Sequence, residues 1–260
     1  MSRGRVWFDA LRAEIAPHPT MPPSVCVADR TIGTTEVRFI AVVPDPTNRF
    51  VRARLGELGI DEAIAIAGAV EEAPAAIVAI VDVPGQAFGL REEMLGIHRA
   101  LAAAVDAYAR KRRAGHVVVA LVVGRAISGA FLAHGLQANW IGALRDPGVD
   151  VHVMSESSVA RVTRTSREEI TRIAGLVPAT ARDIERFATL GAIDRLFTVA
   201  DPNAPTPPEV AEIQAALVLA IGDPTIAART PRNRLDTDAA RTTRRLSIDV
   251  RARLRATWDA

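Results

Sequence analysis

Lysine is almost absent from this chain: of 32 basic side chains in 260 residues only Lys111 is lysine, and the other 31 are arginine. With a formal charge of only +2, the pI near 9.3 reflects scarce groups titrating near neutrality, so a basic surface and a nucleic-acid partner are not implied. Cysteine occurs once, at Cys26, which excludes an intramolecular disulfide and a cysteine-based metal cluster and points to a reducing cytoplasm. Long apolar runs are also missing. The longest, around residues 73–81 and 117–124, fall far short of the roughly 20 residues that span a bilayer, so no membrane association is expected. The opening MSRGRVWFDALRAEIAPHP is interrupted by Asp9, Arg12 and Glu14, unlike a targeting segment. Among His18, His98, His116, His134 and His152 no pair has HExxH spacing, and no CxxC occurs, so a zinc site has no local signature.

What the chain does hold is apolar material: 49% hydrophobic residues against 24% charged, with a mean hydropathy of +0.14, describe a globular protein with a sizeable core, expected as one large α/β domain. Trp7, Phe8 and Leu11 at helical spacing, followed by Pro17, Pro19, Pro22 and Pro23, make residues 1–23 a short docking helix and Pro-rich linker. Residues 25–28 and 37–43 read as a strand pair around Gly33, and 51–70 as a helix interrupted at Gly59. Residues 76–83 (AIVAIVDV) lack alternation, as a strand covered on both faces does, and run into the turn 84–89. Leu90, Met94, Ile97, Leu101, Val105 and Tyr108 then predict one helix with a single buried stripe, closed by Arg110–Arg113 and Gly115. The order repeats with a strand at 117–123, a turn at 124–128 and a helix at 129–138, which implies a mainly parallel sheet. Further strands are expected at 149–154 and 196–199, with helices over 166–190, broken at 175–178, and over 208–221. Nine arginines follow residue 227, ending in a stripe of Leu246, Val250, Leu254 and Trp258. The expected units are thus 1–23, a domain at 24–227 and an Arg-rich helical extension at 228–260.

Two turns carry the chemistry. Gly85 to Gly89 and Ser128-Gly129-Ala130 each place small residues where a buried strand passes into a helix, so backbone N–H groups converge on a point able to hold an anion or oxyanion. Close packing alone also asks for glycine there. Neither turn matches a phosphate loop, a GxGxxG fingerprint or a GxSxG elbow, and Ser128 is expected to cap its helix. His134, one turn into that helix, has more reason to meet a ligand than the solvated His98 and His116. Glu92 and Glu93 answer the helix dipole. The C-terminal arginines, interleaved with Asp236, Asp238, Asp249 and Asp259, form a solvated face or a surface for an acidic protein.

The segments VDVPGQAFGLREEMLGIHRALAAAVDAYA (81–109) and VVGRAISGAFLAHGLQANW (122–140) resemble the gamma subunit family of malonate decarboxylase, as do RGRVWFDAL, VRFIAVVPDPTNRF (37–50) and FATLGAIDRLF (187–197). D-x-P-G-x-x-x-G and G-x-x-x-S-G-A are shared with acyl-CoA carboxyltransferases; SGAFLAHGLQAN narrows the match. The resemblance implies a crotonase-like (ClpP/crotonase) spiral of ββα units paired with a related beta subunit. The pair would decarboxylate a malonyl thioester on an acyl carrier protein subunit, whose phosphoribosyl-dephospho-CoA-type arm a malonate/acetyl carrier transferase subunit recharges. No cofactor or metal is then bound directly. Gly129 and Ala130 would supply a backbone oxyanion hole beside Ser128, with Gly85, Gln86, Gly89, Arg125 and His134 around the substrate. Arg125 would guide a carboxylate or simply be solvated. The rival readings are the alpha-type half of a biotin-dependent acyl-CoA carboxyltransferase and a non-catalytic scaffold of the same fold.

Overall fold

The computed structural model describes residues 1–19 and 22–258; positions 20 and 21 of the expected linker, and Asp259 among the acidic residues of the C-terminal stretch, lie outside the described residues. The chain opens with α1 (Arg3–Arg12), capped by the Ser2 hydroxyl, which accepts the Arg5 N–H. Trp7, Phe8 and Leu11 are fully buried, and the Trp7 indole donates to the Pro202 carbonyl at 2.9 Å. The expected docking helix is therefore part of the main core.

β1 (Val25–Ile32) and β2 (Thr35–Val42) form an antiparallel hairpin around Gly33, whose φ of +61° suits the tight turn. After α2 (Ile60–Glu71), β3 (Ala76–Val83) is buried at all eight positions, because it lies between β2 and the later strand β4 (Val118–Ile127), parallel to both. Between β3 and β4 run α3 (Leu90–Met94) and α4 (Ile97–Arg113). The expected single helix is thus two, since Gly96 adopts φ +84° and ends the first. The stripe also moves: Leu90 and Met94 are 80% and 79% exposed, whereas Ile97, Ala100, Ala104, Ala107 and Tyr108 are buried. The alanines let α4 pack closely on α2.

The helix after β4 is shorter than expected. α5 (Ser128–Ala133) stops before Gly135, whose φ is +122° and where a Cβ would stand 2.6 Å from Val81 Cγ2. β5 (Trp140–Leu144), which sequence reading missed, extends the sheet beside β4, and the strand expected at 149–154 shrinks to β6 (Val151–His152), paired with Ala126 and Ile127. Next come α6 (Glu156–Thr163), α7 (Arg167–Leu176), α8 (Ile184–Ala188), β7 (Arg195–Phe197) on the β5 edge, and α9 (Pro207–Gly222). The described chain closes with α10 (Pro224–Ala227), α11 (Asp238–Thr243) and α12 (Arg245–Trp258). The sheet order is β1-β2-β3-β4-β5-β7, with β6 off β4. The C-terminal ends of β3 and β4 therefore sit side by side, which is where ligands gather in parallel α/β sheets.

Candidate active site

The first turn leaves β3 at Pro84 and Gly85. Gly85 has φ +132°, and Leu58 clamps the loop by donating to the Gly85 carbonyl and accepting the Ala87 N–H, both at 2.9 Å. At Gly89 a Cβ would meet Arg52 Nε at 2.5 Å, so a larger residue would push that side chain aside. Glu92 is buried and Glu93 exposed, both in the first turn of α3.

The second turn is strained. Ser128 takes φ +57°, a left-handed conformation that costs free energy in a non-glycine residue and tends to persist at functional sites. Ser128 is not the helix cap that sequence reading expected: Ile127 occupies the N-cap position, and no side chain caps this end. Gly129 and Ala130 follow in the first turn, where a helix offers its own N–H groups no acceptor. The Gly129 N–H instead donates to Gln86 Oε1 at 3.1 Å, which ties the two turns together.

Asp82, just before the first turn, holds the frame. Its Oδ2 accepts the Gly4 N–H and its Oδ1 the Arg125 N–H, each at 3.1 Å, where the β3–β4 register shifts. Arg125 lies in β4, beyond the strand end expected from sequence, with its side chain 45% exposed and Nε 3.8 Å from Asp82 Oδ1.

A cavity of about 410 Å³ opens at the second turn. Ser128 and Gly129 line it together with Phe131, Leu132, Leu136, Met154 and Phe187; Gly85, Gln86, Gly89, Arg125, Ala130 and His134 do not. His134 requires a correction. It is fully buried, its Nδ1 3.0 Å from the Tyr108 hydroxyl and its Nε2 3.2 Å from the Ile80 carbonyl, so both ring nitrogens are spent inside the core. Burial pushes its pKa down from 6.5 to about 4, which keeps the ring neutral.

The cavity's polar lining also includes His152, Glu156, Thr180 and Arg182, none of which sequence reading placed at a site. Arg182 forks onto Asp150, Nε to Oδ1 at 3.1 Å and Nη2 to Oδ2 at 2.7 Å, and the same Nη2 lies 2.7 Å from His152 Nε2. Burial lowers the His152 pKa, Asp150 opposes this, and Arg182 adds to it. Asp150-x-His152 is visible in the sequence, but nothing in spacing joins it to an arginine 30 positions later. Among the described residues no group of three or more His, Cys, Asp and Glu is placed to hold a metal ion, and no helix is long and apolar enough to cross a membrane.

The profile of the malonate decarboxylase gamma subunit family matches residues 53–258. A chain of a Pseudomonas malonate decarboxylase hetero-tetramer, solved with coenzyme A, is 45% identical over 97% of this chain and 100% of its own, with a TM-score of 0.89. The Pseudomonas MdcD-MdcE hetero-dimer gives 45% identity over 99% of this chain and 100% of its own, at a TM-score of 0.85. The malonyl-S-ACP:biotin-protein carboxyltransferase MADD of Malonomonas rubra is 34% identical over 69% of this chain, which spans 66% of that relative's length. Transcarboxylase 12S shares the fold, at 21% identity over 82% of this chain and 40% of its own, with a TM-score of 0.61. The architecture is thus the crotonase-like α/β fold of the carboxyltransferases.

Proposed function

The chain belongs to the malonate decarboxylase gamma subunit family, and on that premise we propose that, with a beta subunit, it converts malonyl-S-acyl carrier protein to acetyl-S-acyl carrier protein and CO2. The observation that carries this reading is the pair of adjoining turns after β3 and β4, joined by the bond from the Gly129 N–H to Gln86, with Gly129 and Ala130 in the uncapped first turn of α5 beside the cavity. When the carboxylate carbon leaves, its bonding electrons pass into an enolate, and preorganised N–H groups stabilise that charge before a proton reaches the acetyl carbon. In this proposal Gly129 and Ala130 supply the donors and the strained Ser128 aims them. Gln86 yields the Gly129 N–H to the incoming oxygen, Gly85 and Gly89 shape the neighbouring wall, and Arg125 steers the anionic substrate.

A partner completes the site. Phe88 in the first turn, with Leu90, Met94 and Leu95 directly after it, are 63%, 80%, 79% and 58% exposed, an apolar surface suited to a beta subunit. The proposal extends to a carrier subunit bearing a phosphoribosyl-dephospho-CoA-type arm, a malonate/acetyl carrier transferase subunit and a cytoplasmic location. It keeps residues 228–260 as an extension available to a protein partner.

The likeness to MADD supports a second reading, in which the same hole faces carboxybiotin and CO2 is transferred rather than released. Avidin separates the two. Decarboxylation by the assembled complex that survives avidin supports our reading, and its abolition replaces it with the biotin-linked one.

A further inference from the structure

The last helix packs on almost nothing. No residue of α12 is buried, and its one substantial neighbour is α11, the element just before it. A helix of 14 residues is marginal in water without tertiary packing, so α12 calls for a surface that covers it. Leu246, Val250, Leu254 and Trp258 run along it at steps of four, each between 55% and 89% exposed. At 3.6 residues per turn such steps advance about 40° each, which makes the four a continuous ridge of the kind that settles into the groove of another helical surface. The charges beside the ridge are of one sign. Arg253 borders one edge, and Arg251 and Arg255 the other, each within about 60° of the nearest apolar residue around the helix axis. Asp249, the one acid of α12, is turned to Arg245 at 3.9 Å, whereas the bordering arginines have no ion-pair partner among the described residues. A second copy laid along this ridge would bring arginine against arginine, and an acidic surface would complement it.

The place of the helix says which acidic protein. Residues 242–247 wall a hollow together with Ala179 and Leu190, and Ala179 also lines the cavity at the second turn. The root of α12 therefore adjoins the cavity that holds Ser128 and Gly129. A thioester borne on a protein enters such a cavity while its carrier stays outside, against the surface next to the mouth. We propose that α12 is the docking element for the protein that carries the malonyl thioester, its apolar ridge entering a groove between helices of that protein and Arg251, Arg253 and Arg255 pairing with acidic residues along the groove's rim. This rests on the function proposed above, in which the substrate is protein-borne.

The test uses the full chain assembled with its beta subunit and two substrates: the malonyl-loaded carrier subunit, and malonyl-N-acetylcysteamine, which bears a malonyl thioester without a protein. Arg251→Glu combined with Arg253→Glu should raise KM for the carrier about 10-fold or more, with kcat within about threefold, and leave kcat/KM for the small thioester within about twofold. Leu254→Ser should act in the same direction. Added salt should raise the parent's KM for the carrier and not for the small thioester. A charge-reversed variant whose KM for the carrier stays within about threefold of the parent overturns the proposal, as does one that loses the small thioester in equal measure. If the parent complex releases no CO2 from either substrate, the functional reading fails, and docking is read without turnover. Trp7 and Trp140 are buried and Trp258 is exposed, so fluorotryptophan placed in this chain only lets fluorine NMR follow α12. The Trp258 resonance of the assembled pair should move when the carrier subunit is added. It should stay in place with phosphatidylserine–phosphatidylcholine vesicles, on pairing with the beta subunit, and on raising the concentration of the chain alone. No response to the carrier, or a shift with vesicles, beta subunit or self-association, overturns the proposal.

Discussion

The side chain of Gln86 occupies the main-chain donor of Gly129: its Oε1 accepts that N–H at 3.1 Å, bridging the turns after β3 and β4. On the function proposed above, the amide oxygen holds the place that a substrate oxygen would take. On that reading the N–H is satisfied internally before substrate arrives, and the substrate oxygen exchanges with the Gln86 acceptor.

That exchange predicts opposite responses to two substitutions. Gln86→Glu keeps the bond to Gly129 in a stronger, charged form and repels an anionic substrate, so KM for the malonyl carrier should rise about 10-fold or more with little change in kcat. Gln86→Ala removes the competitor and should leave KM unchanged or lower. Steady-state kinetics of the two assembled variants check this, and equal increases in KM would show a purely structural side chain.

Asp82 is assigned a structural task, accepting from Gly4 and Arg125 at the centre of the frame. A Cβ on Gly124 would collide with its carboxylate. Gly124→Ala should therefore displace Asp82 from both donors and destabilise the chain by about 2 kcal/mol or more, because buried N–H groups lose their acceptor. Thermal or denaturant unfolding measures it, and an unchanged midpoint would contradict the assignment.

His134 gives the chain a defined acid sensitivity. Its pKa is about 4 when folded against 6.5 as the ordinary value, so between these limits the unfolded chain binds the extra proton. Its contribution is complete above pH 6.5 and is lost progressively as pH falls towards 4, by an amount on the order of 3 kcal/mol. His134→Leu should be less stable near neutrality, since the Tyr108 hydroxyl loses its partner, but should show a shallower acid slope over this window. Equal slopes for both proteins in pH-dependent unfolding would sink the point.

The buried strands were legible because β3 and the first part of β4 are continuous apolar runs, and the two turns because small residues stand at their ends. The family resemblance was carried by those same segments, and the profile match agrees with it. Helix boundaries were less legible. Gly96 sits in a sequence whose apolar spacing continues across it, so periodicity alone ran α3 and α4 together and put Leu90 and Met94 in the core. β5 (WIGAL) is too short and too evenly apolar to declare itself. His134 misled because helical position does not say which way a side chain faces, and its partners Tyr108 and Ile80 come from other elements. The Asp150, His152 and Arg182 cluster was invisible for the same reason, being made by tertiary approach of distant segments.

The most direct test of the account follows CO2 from carboxyl-labelled malonyl carrier thioester with this chain alone, the beta subunit alone and the two mixed. The account predicts release, matched by acetyl thioester, only in the mixture and undiminished by avidin. Full turnover by either chain alone would contradict it, because the site would then need no second half.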